Sequence, residues 1–403
     1  MSSSKQPSFN LGIVGHVDHG KTTLTKLLSG KWTDTHSEEV KRGITIKLGY
    51  TNFSIYKDSN NYSTDKSKGD FVKLISIVDA PGHESFMATM ISGAAIMDYA
   101  LLVVAANEKC PQPQTIEHMK MLEITGIKKI IVIQNKVDLV KKEEAIENFK
   151  QIKEFLSGTS FADAPVIPLS AQYGANMSNL LDTILTEFQT PANDESQEAQ
   201  MFVVRSFDIN KPGQDYSQLK GGIIGGAIKQ GQLKVGDELE IKPGSVKVVN
   251  QKIEATPIRA TIKGLKSDKD DLETAVPGGS VAIMTELDPT ITQSDTLVGQ
   301  VAGLPGTLPD ALMEITFEPH LFDEVISLTK TYDVKPIYQS EPLMMIINSL
   351  TTVGIVSATK GDSRVTVKLK KPVMGFENDR VVIFRQVEPK KWKIVGYGLV
   401  RLM

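Results

Sequence analysis

Cysteine is almost missing from this chain. Among 403 residues only Cys110 carries a thiol, so an internal disulfide is excluded. Cys110 lies beside a proline-containing loop with no evident base to activate it, and it reads as an ordinary free thiol. Long apolar runs are missing too, so no stretch resembles a membrane span. Met1 to Ser8 is short, polar and without an apolar core, which argues against a signal peptide and for a cytoplasmic location. Nor is there an excess of positive charge: Lys and Arg number 45 against 48 Asp and Glu, for a formal net charge of −3. Any nucleic-acid binding must therefore come from local patches. What remains, 40% hydrophobic and 23% charged, is ordinary globular composition. It is too long for one core, and two or three domains are expected.

The chain is organised around Gly15-His16-Val17-Asp18-His19-Gly20-Lys21-Thr22, a match to G-x-x-x-x-G-K-[ST]. The apolar run Leu11 to Val14 leads in and helix-forming residues follow from Thr23 to Leu28, which is the strand, loop and helix context the motif needs. Glycines let backbone N–H groups crowd around phosphate oxygens, Lys21 reaches the terminal phosphates, and Thr22 offers a hydroxyl to Mg²⁺. This motif alone does not separate GTP from ATP.

The first half alternates strands and helices: strands over Tyr50 to Ile55, Lys73 to Val78, Tyr99 to Ala105, Lys129 to Ile133 and Pro165 to Leu169, helices over Ser85 to Ile96, Gln114 to Thr125, Lys142 to Leu156 and Ser178 to Phe188. Such alternation predicts an α/β P-loop domain, a mostly parallel sheet with helices on both faces and ligands at the carboxyl ends of its strands. Tyr56 to Asp70, rich in Asn, Ser, Asp and Lys, reads as an exposed loop or hairpin tip. After Phe188 a polar linker follows. From Met201 the helical pattern vanishes into short Val, Ile and Thr runs broken by turn residues, which fit two small β-barrels. The expected domains are residues 1–195, 196–308 and 309–403, the second break falling at Pro305 to Pro309.

Three further stretches add chemistry to the first domain. Asp79-Ala80-Pro81-Gly82-His83 sits at a strand end, where Asp79 can hold Mg²⁺ through water and the Gly82 N–H can approach a γ-phosphate. In Asn135-Lys136-Val137-Asp138, the amide and carboxylate suit guanine, whose N1 and N2 donors a carboxylate accepts; adenine has no such donor pair. Ser170-Ala171-Gln172 completes the base pocket through backbone N–H groups. In a GTPase reading, Thr45 of Lys41-Arg42-Gly43-Ile44-Thr45-Ile46 is a second hydroxyl for Mg²⁺ when the γ-phosphate is present. Arg42 reads as a solvated charge rather than a catalytic finger.

Together these motifs, with two β-domains behind them, resemble the translational GTPases that carry aminoacyl-tRNA, the elongation factor Tu-like superfamily. Within it, Trp32-Thr33-Asp34, His36-Ser37-Glu38-Glu39, Lys109-Cys110-Pro111-Gln112-Pro113-Gln114-Thr115 and Gly221-Gly222-Ile223-Ile224-Gly225-Gly226 are similar to the gamma subunit of archaeal and eukaryotic translation initiation factor 2. The likeness runs over essentially the whole chain. It implies a protein that binds GTP or GDP with Mg²⁺ and, in the GTP state, takes methionyl initiator tRNA to the small ribosomal subunit. It also implies an alpha subunit on the second domain, a beta subunit on the first, a GTPase-activating factor, and no membrane. The resemblance carries Asp18, His19, Gly20, Lys21, Thr22, Thr23 and Gly82 to the phosphates, and Asn135, Lys136, Asp138, Ser170, Ala171 and Gln172 to guanine. Thr22, Thr45, Asp79, Asp18 and Gly43 fall to Mg²⁺. His83 would orient the attacking water inside an apolar barrier of Val17 and Ile44.

One departure stands out. Relatives commonly carry a Cys-rich zinc-binding knuckle where this chain reads Tyr56 to Asp70, and no cysteine lies there, so no structural zinc is expected. Basic candidates for tRNA are Lys247, Lys252, Arg259, Lys263 and Lys266, then Arg364, Lys368, Lys370 and Lys371, most of them reading as solvated strand faces. The alternatives are an elongation-type carrier, including the selenocysteine-specific kind, a GTPase that drives a sulfate-activating adenylyltransferase and, more distantly, an ATP-using enzyme.

Overall fold

The structure is a computed structural model that describes residues 6–32, 48–59, 61–82, 86–191, 194, 196–211, 213–215, 218–250, 252–326, 331–361, 363–388 and 391–402. The chain divides into two compact units, Met1–Ala192 with Gly278–Ser280, and Asn193–Pro277 with Val281–Met403.

In the first unit, runs of Val, Ile and Leu with no polar face become strands covered on both sides. β1 (Asn10–Gly15) is buried along its whole length. β2 (Gly49–Asp58), β3 (Asn61–Ser63), β4 (Asp70–Asp79), β5 (Tyr99–Ala105), β6 (Ile130–Asn135) and β7 (Val166–Pro168) complete a seven-stranded sheet of order β3-β2-β4-β1-β5-β6-β7. From β4 to β7 the neighbours run parallel, while β2 and β3 form an antiparallel edge. The helices are α1 (Lys21–Ser29), α2 (Met87–Ala94), α3 (Pro113–Ile124), α4 (Lys142–Ser157) and α5 (Met177–Glu187). Leu24 and Leu28 of α1 and Leu180, Leu181 and Ile184 of α5 pack on Leu11, Ile13, Ile77, Val103 and Ile131. Each such fully buried side chain stabilises the fold by about 1.5–3 kcal/mol. Phe9, Tyr99 and Phe188 close this core, with Tyr99 and Phe188 stacked at 4.5 Å.

Of the two readings of Tyr56 to Asp70, loop or hairpin tip, the structure shows the hairpin. β2 runs to Asp58, with Tyr56 packed edge-on against Phe71 of β4, and returns as β3, and the Asp65 carboxylate then caps a single 3₁₀ turn at Lys66–Lys68 by accepting from Ser67 N at 2.9 Å. The hairpin rests on α5, where Tyr62 N donates to Ser178 Oγ at 3.0 Å.

The second unit is built from β-strands, with a short helical stretch at Pro289–Thr292 and Gln293–Asp295. Glu238–Val249, Val301–Gly303, Gln200–Phe207, Ile223–Gln230, Val281–Thr285 and Lys252–Ser267 hydrogen-bond in that order, and Lys252–Ser267 pairs back to Glu238–Val249 to close a barrel. Its interior holds Met201, Val203, Ile224, Leu239, Ile262 and Ile283. Leu312–Leu321, Val365–Val373, Leu350–Thr359, Pro342–Ile347, Arg380–Glu388 and Lys391–Val400 close a second barrel around Phe317, Met345, Val367 and Ile383. Closure removes the open sheet edges that short strands of this kind would otherwise expose.

Candidate functional site

Register puts the motif residues along one edge of the sheet. Ile13 lies beside Asp79, Gly15 beside Val103 and Ala105 beside Asn135, so the exits of β1, β4, β5 and β6 converge at the carboxyl side.

The phosphate loop has the conformation its glycines predict. Gly15 has φ 142°, and a Cβ there would stand 2.3 Å from Val103 O, so only glycine lets β1 leave the sheet at this angle. Asp18 and Gly20 are left-handed and turn the chain into α1, whose first residue is Lys21. Gly20 brings no capping side chain and the first turn has no acidic residue, so the helix dipole points uncompensated into the loop. Lys21 is buried, and its Nζ donates to His16 O at 2.7 Å across the loop. Gly82 sits directly above it: a Cβ on Gly82 would come within 2.4 Å of that ammonium. Asp79 is fully buried at the end of β4, and Ala80 N donates to Ile13 O at 3.2 Å.

Asn135 ties three loops together. Its Nδ2 donates to His19 O at 2.9 Å, and its Oδ1 accepts from Ala171 N at 2.9 Å. The Ala171 N–H is thus spent inside the protein rather than offered to a base. Lys136 turns left-handed at φ 63° and carries Asp138 into an exposed 3₁₀ turn. Ser170 and Ala171 are buried and Gln172 is exposed. Thr22 and Thr23 are half-buried on the first turn of α1, and Val17 is half-buried in the loop before it. Gly43, Ile44, Thr45 and His83 lie outside the described residues.

Several groups that shape the site escaped sequence reasoning. Gln114 and His118, one turn apart on α3, underpin the phosphate loop: Gly15 N donates to His118 Nδ1 at 2.8 Å, and Val17 N to Gln114 Oε1 at 3.2 Å. Burial, reinforced by Lys21, His16 and His19, pushes the His118 imidazole well below its ordinary 6.5, as its acceptor role requires. Their i, i+4 spacing on an otherwise apolar helix face was the signal available. His19 is fully buried, with Nδ1 at 3.1 Å from Val103 O and Nε2 at 3.4 Å from Glu108 Oε2. Burial lowers its pKa, so the neutral ring has one proton for two acceptors. Its imidazole faces the sheet, and its main chain is what borders the ligand side. Cys110 is buried and its thiol is pushed up to about 12 by burial, which makes it inert.

Three of the five basic candidates of the first barrel are matched by carboxylates: Arg259 by Glu240 at 3.2 Å, Lys263 by Glu286 at 2.9 Å and Lys266 by Asp271 at 3.0 Å. Among the described residues no group of three or more His, Cys, Asp or Glu could hold a metal ion. Likewise, no helix among them is long and apolar enough to cross a membrane.

A phosphate loop, an acidic strand end and an N-K-x-D loop on one edge of a mostly parallel sheet, followed by two barrels, define a translational GTPase. Residues 6–190 match the family described as elongation factor Tu GTP binding domain, and residues 313–400 match initiation factor eIF2 gamma, C terminal. The chain is 48% identical to translation initiation factor 2 subunit gamma of Methanococcus vannielii, over 99% of this chain and 100% of that protein. It is 48% identical to the same subunit of Methanothermobacter thermautotrophicus, over 98% and 99%. The chain belongs to the family of translation initiation factor 2 gamma subunits, GTP-binding initiation factors of the GTPase class. Among solved structures it is similar to a bacterial selenocysteine-specific elongation factor, EF-Sec (TM-score 0.75, 24% identity), covering 98% of this chain and 58% of that one. It is also similar to elongation factor SelB of Methanococcus maripaludis in complex with a GTP analogue (TM-score 0.72, 25% identity), covering 100% of this chain and 80% of that one.

Proposed function

We propose that this chain is the GTP-dependent carrier of methionyl initiator tRNA to the small ribosomal subunit, working in a heterotrimer with alpha and beta subunits and hydrolysing GTP slowly on its own. The observation that supports the nucleotide reading is the Asn135 side chain, which joins the phosphate loop to both base-side loops and would hold triphosphate and base at one distance.

The residues fit the nucleotide. A Cβ at Gly20 would meet Asn135 Nδ2 at 2.3 Å and one at Gly82 would meet Lys21 Nζ at 2.4 Å, so both glycines keep open a cradle that any side chain would fill. Lys21 and the N–H groups of Asp18 to Thr23 would hold the phosphates, and Asn135, Lys136, Asp138 and the Ser170 to Gln172 segment would hold guanine. Thr22 and buried Asp79, with Thr45, Gly43 and Asp18, would hold Mg²⁺, which when bound supplies charge neutralisation at the β- and γ-phosphate oxygens. His83 would orient water for in-line attack, with Val17 and Ile44 excluding bulk solvent. Positioning and electrostatics perform the reaction, with no covalent intermediate. The motif segments offer only Arg42 as an arginine, read as solvated, and a missing finger costs on the order of a thousandfold or more in rate.

Single-turnover assays of the isolated subunit test the hydrolysis: slow turnover is expected, and fast turnover without an activator contradicts it. Competition between initiator tRNA and an elongator methionine tRNA tests the carrier role. Preference for the initiator is expected, and equal binding would favour an elongation-type carrier. Failure to bind any aminoacyl-tRNA, with GTP-stimulated turnover of a small molecule, would favour the metabolic GTPase.

A further inference from the structure

Behind the N-K-x-D loop lies a buried pair of amides that the nucleotide contacts do not use. Gln134, the residue before Asn135 in β6, and Asn148, on the inner face of α4, are both almost fully buried. Gln134 Nε2 donates to Asn148 Oδ1 at 2.9 Å and to Ala145 O at 2.7 Å. Asn148 Nδ2 donates to Glu108 O at 2.7 Å and reaches Ala105 O at 3.5 Å. Two amides between a helix and a sheet are an expensive way to fill space that leucines would fill, unless their directionality is used. Here the bonds tie α4, at Ala145 and Asn148, to the exits of β5 and β6.

Those exits are the two that bear on the site from this side. The β5 exit presents Glu108 to His19 of the phosphate loop, and the β6 exit carries Asn135, whose amide grips His19 O. One backbone bond, from Ala106 N to Asn135 O at 2.7 Å, also joins them. Lys136 then makes a left-handed turn, a conformation that persists at a non-glycine residue only when its surroundings over-determine it. The strained turn therefore has a rigid support directly beneath it, and its far end is Asp138.

We propose that Asn148, acting through Gln134, is a positioning residue for base selection. It sets the height of the Asn135 to Asp138 turn above the phosphate loop, so that the Asp138 carboxylate meets the guanine edge when the phosphates are seated. The inference rests on the reading of Asp138 as the guanine acceptor, and its test separates the two. Inosine diphosphate lacks the 2-amino donor of guanosine diphosphate but shares its phosphates and sugar, so the ratio of the two affinities reports the carboxylate's placement and cancels a uniform loss of binding.

The experiment titrates GDP and IDP against the full chain and its Asp138→Asn, Asn148→Leu, Gln134→Leu and double Asn148→Leu/Gln134→Leu variants, with thermal denaturation of each. The unsubstituted chain is expected to prefer GDP by roughly ten- to a hundredfold, the range of a hydrogen bond to a charged group. Asn148→Leu is expected to bring that preference within about threefold, with IDP affinity changed less than about twofold. Gln134→Leu should do the same, and the double variant should lose no more than the larger single loss, because both residues act through one bond. Should Asn148→Leu not fold, Gln134→Leu carries the comparison. An unsubstituted chain without preference for GDP would overturn the base reading and this inference with it. A preference abolished in Asp138→Asn but intact in the amide variants would overturn this inference alone, leaving the pair as packing.

Discussion

At the scale of single residues, the phosphate loop depends on groups that are neutral or glycine for definite reasons. His118 accepts from Gly15 N through Nδ1 and must keep that lone pair. Because burial lowers its pKa in the folded chain from 6.5, the unfolded chain binds more protons over the interval between. Stability therefore rises with pH there and is lost as pH falls below about 6.5, a window shared by His16 and His19, which burial also lowers. His118→Asn keeps an acceptor and removes the titration, so the fall in melting temperature between about pH 7.5 and about pH 5.5 should shrink. An unchanged fall would assign the acid sensitivity elsewhere. Gly82→Ala places a methyl against the end of Lys21, a flexible group that can yield. Folding should survive, with a melting temperature within a few degrees, while GTP affinity drops by about tenfold or more through loss of one charge-assisted contact. Asp138→Asn should move base preference from guanine toward xanthine, and an unchanged ranking in nucleotide competition would remove Asp138 from the base site.

Secondary-structure elements carry the second scale. Strands β1, β5 and β6 were legible because uninterrupted apolar runs of that length have one stable use, the middle of a covered parallel sheet. Motifs at their carboxyl ends followed from the same rule. The Tyr56 to Asp70 segment was less so: its polar composition allows a loop as readily as a hairpin, and the β2–β3 pairing and the contact of Tyr62 with α5 are what distinguish the two. Support from α3 and α4 was also hidden, since Gln114, His118 and Asn148 act across long sequence separations that local pattern does not encode. The face joining α1 to the sheet gives a direct stability test. Leu24→Ala removes a fully buried side chain and should destabilise the first unit by about 2–5 kcal/mol, measured by denaturant unfolding. A loss below about 1 kcal/mol would mean that this face is not packed as described.

Over the whole molecule, a net charge of −3 frames RNA binding. Three of the five basic candidates of the first barrel, Arg259, Lys263 and Lys266, face the carboxylates of Glu240, Glu286 and Asp271, which reduces the positive charge they offer to phosphates. Recognition of a charged tRNA by such a surface would draw on shape and 2′-hydroxyl contacts more than on phosphate neutralisation. The proposed function requires γ-phosphate control of that recognition: Lys21 and the backbone N–H groups of the loop would hold the triphosphate, and affinity for the tRNA would follow the presence of the nucleotide's last phosphate. The direct test is filter binding of methionyl initiator tRNA to the chain with an alpha-type partner, in a GTP analogue and in GDP. Binding at least about tenfold tighter with the analogue is expected, a coupling of about 1.4 kcal/mol. Equal binding in the two nucleotides would contradict it.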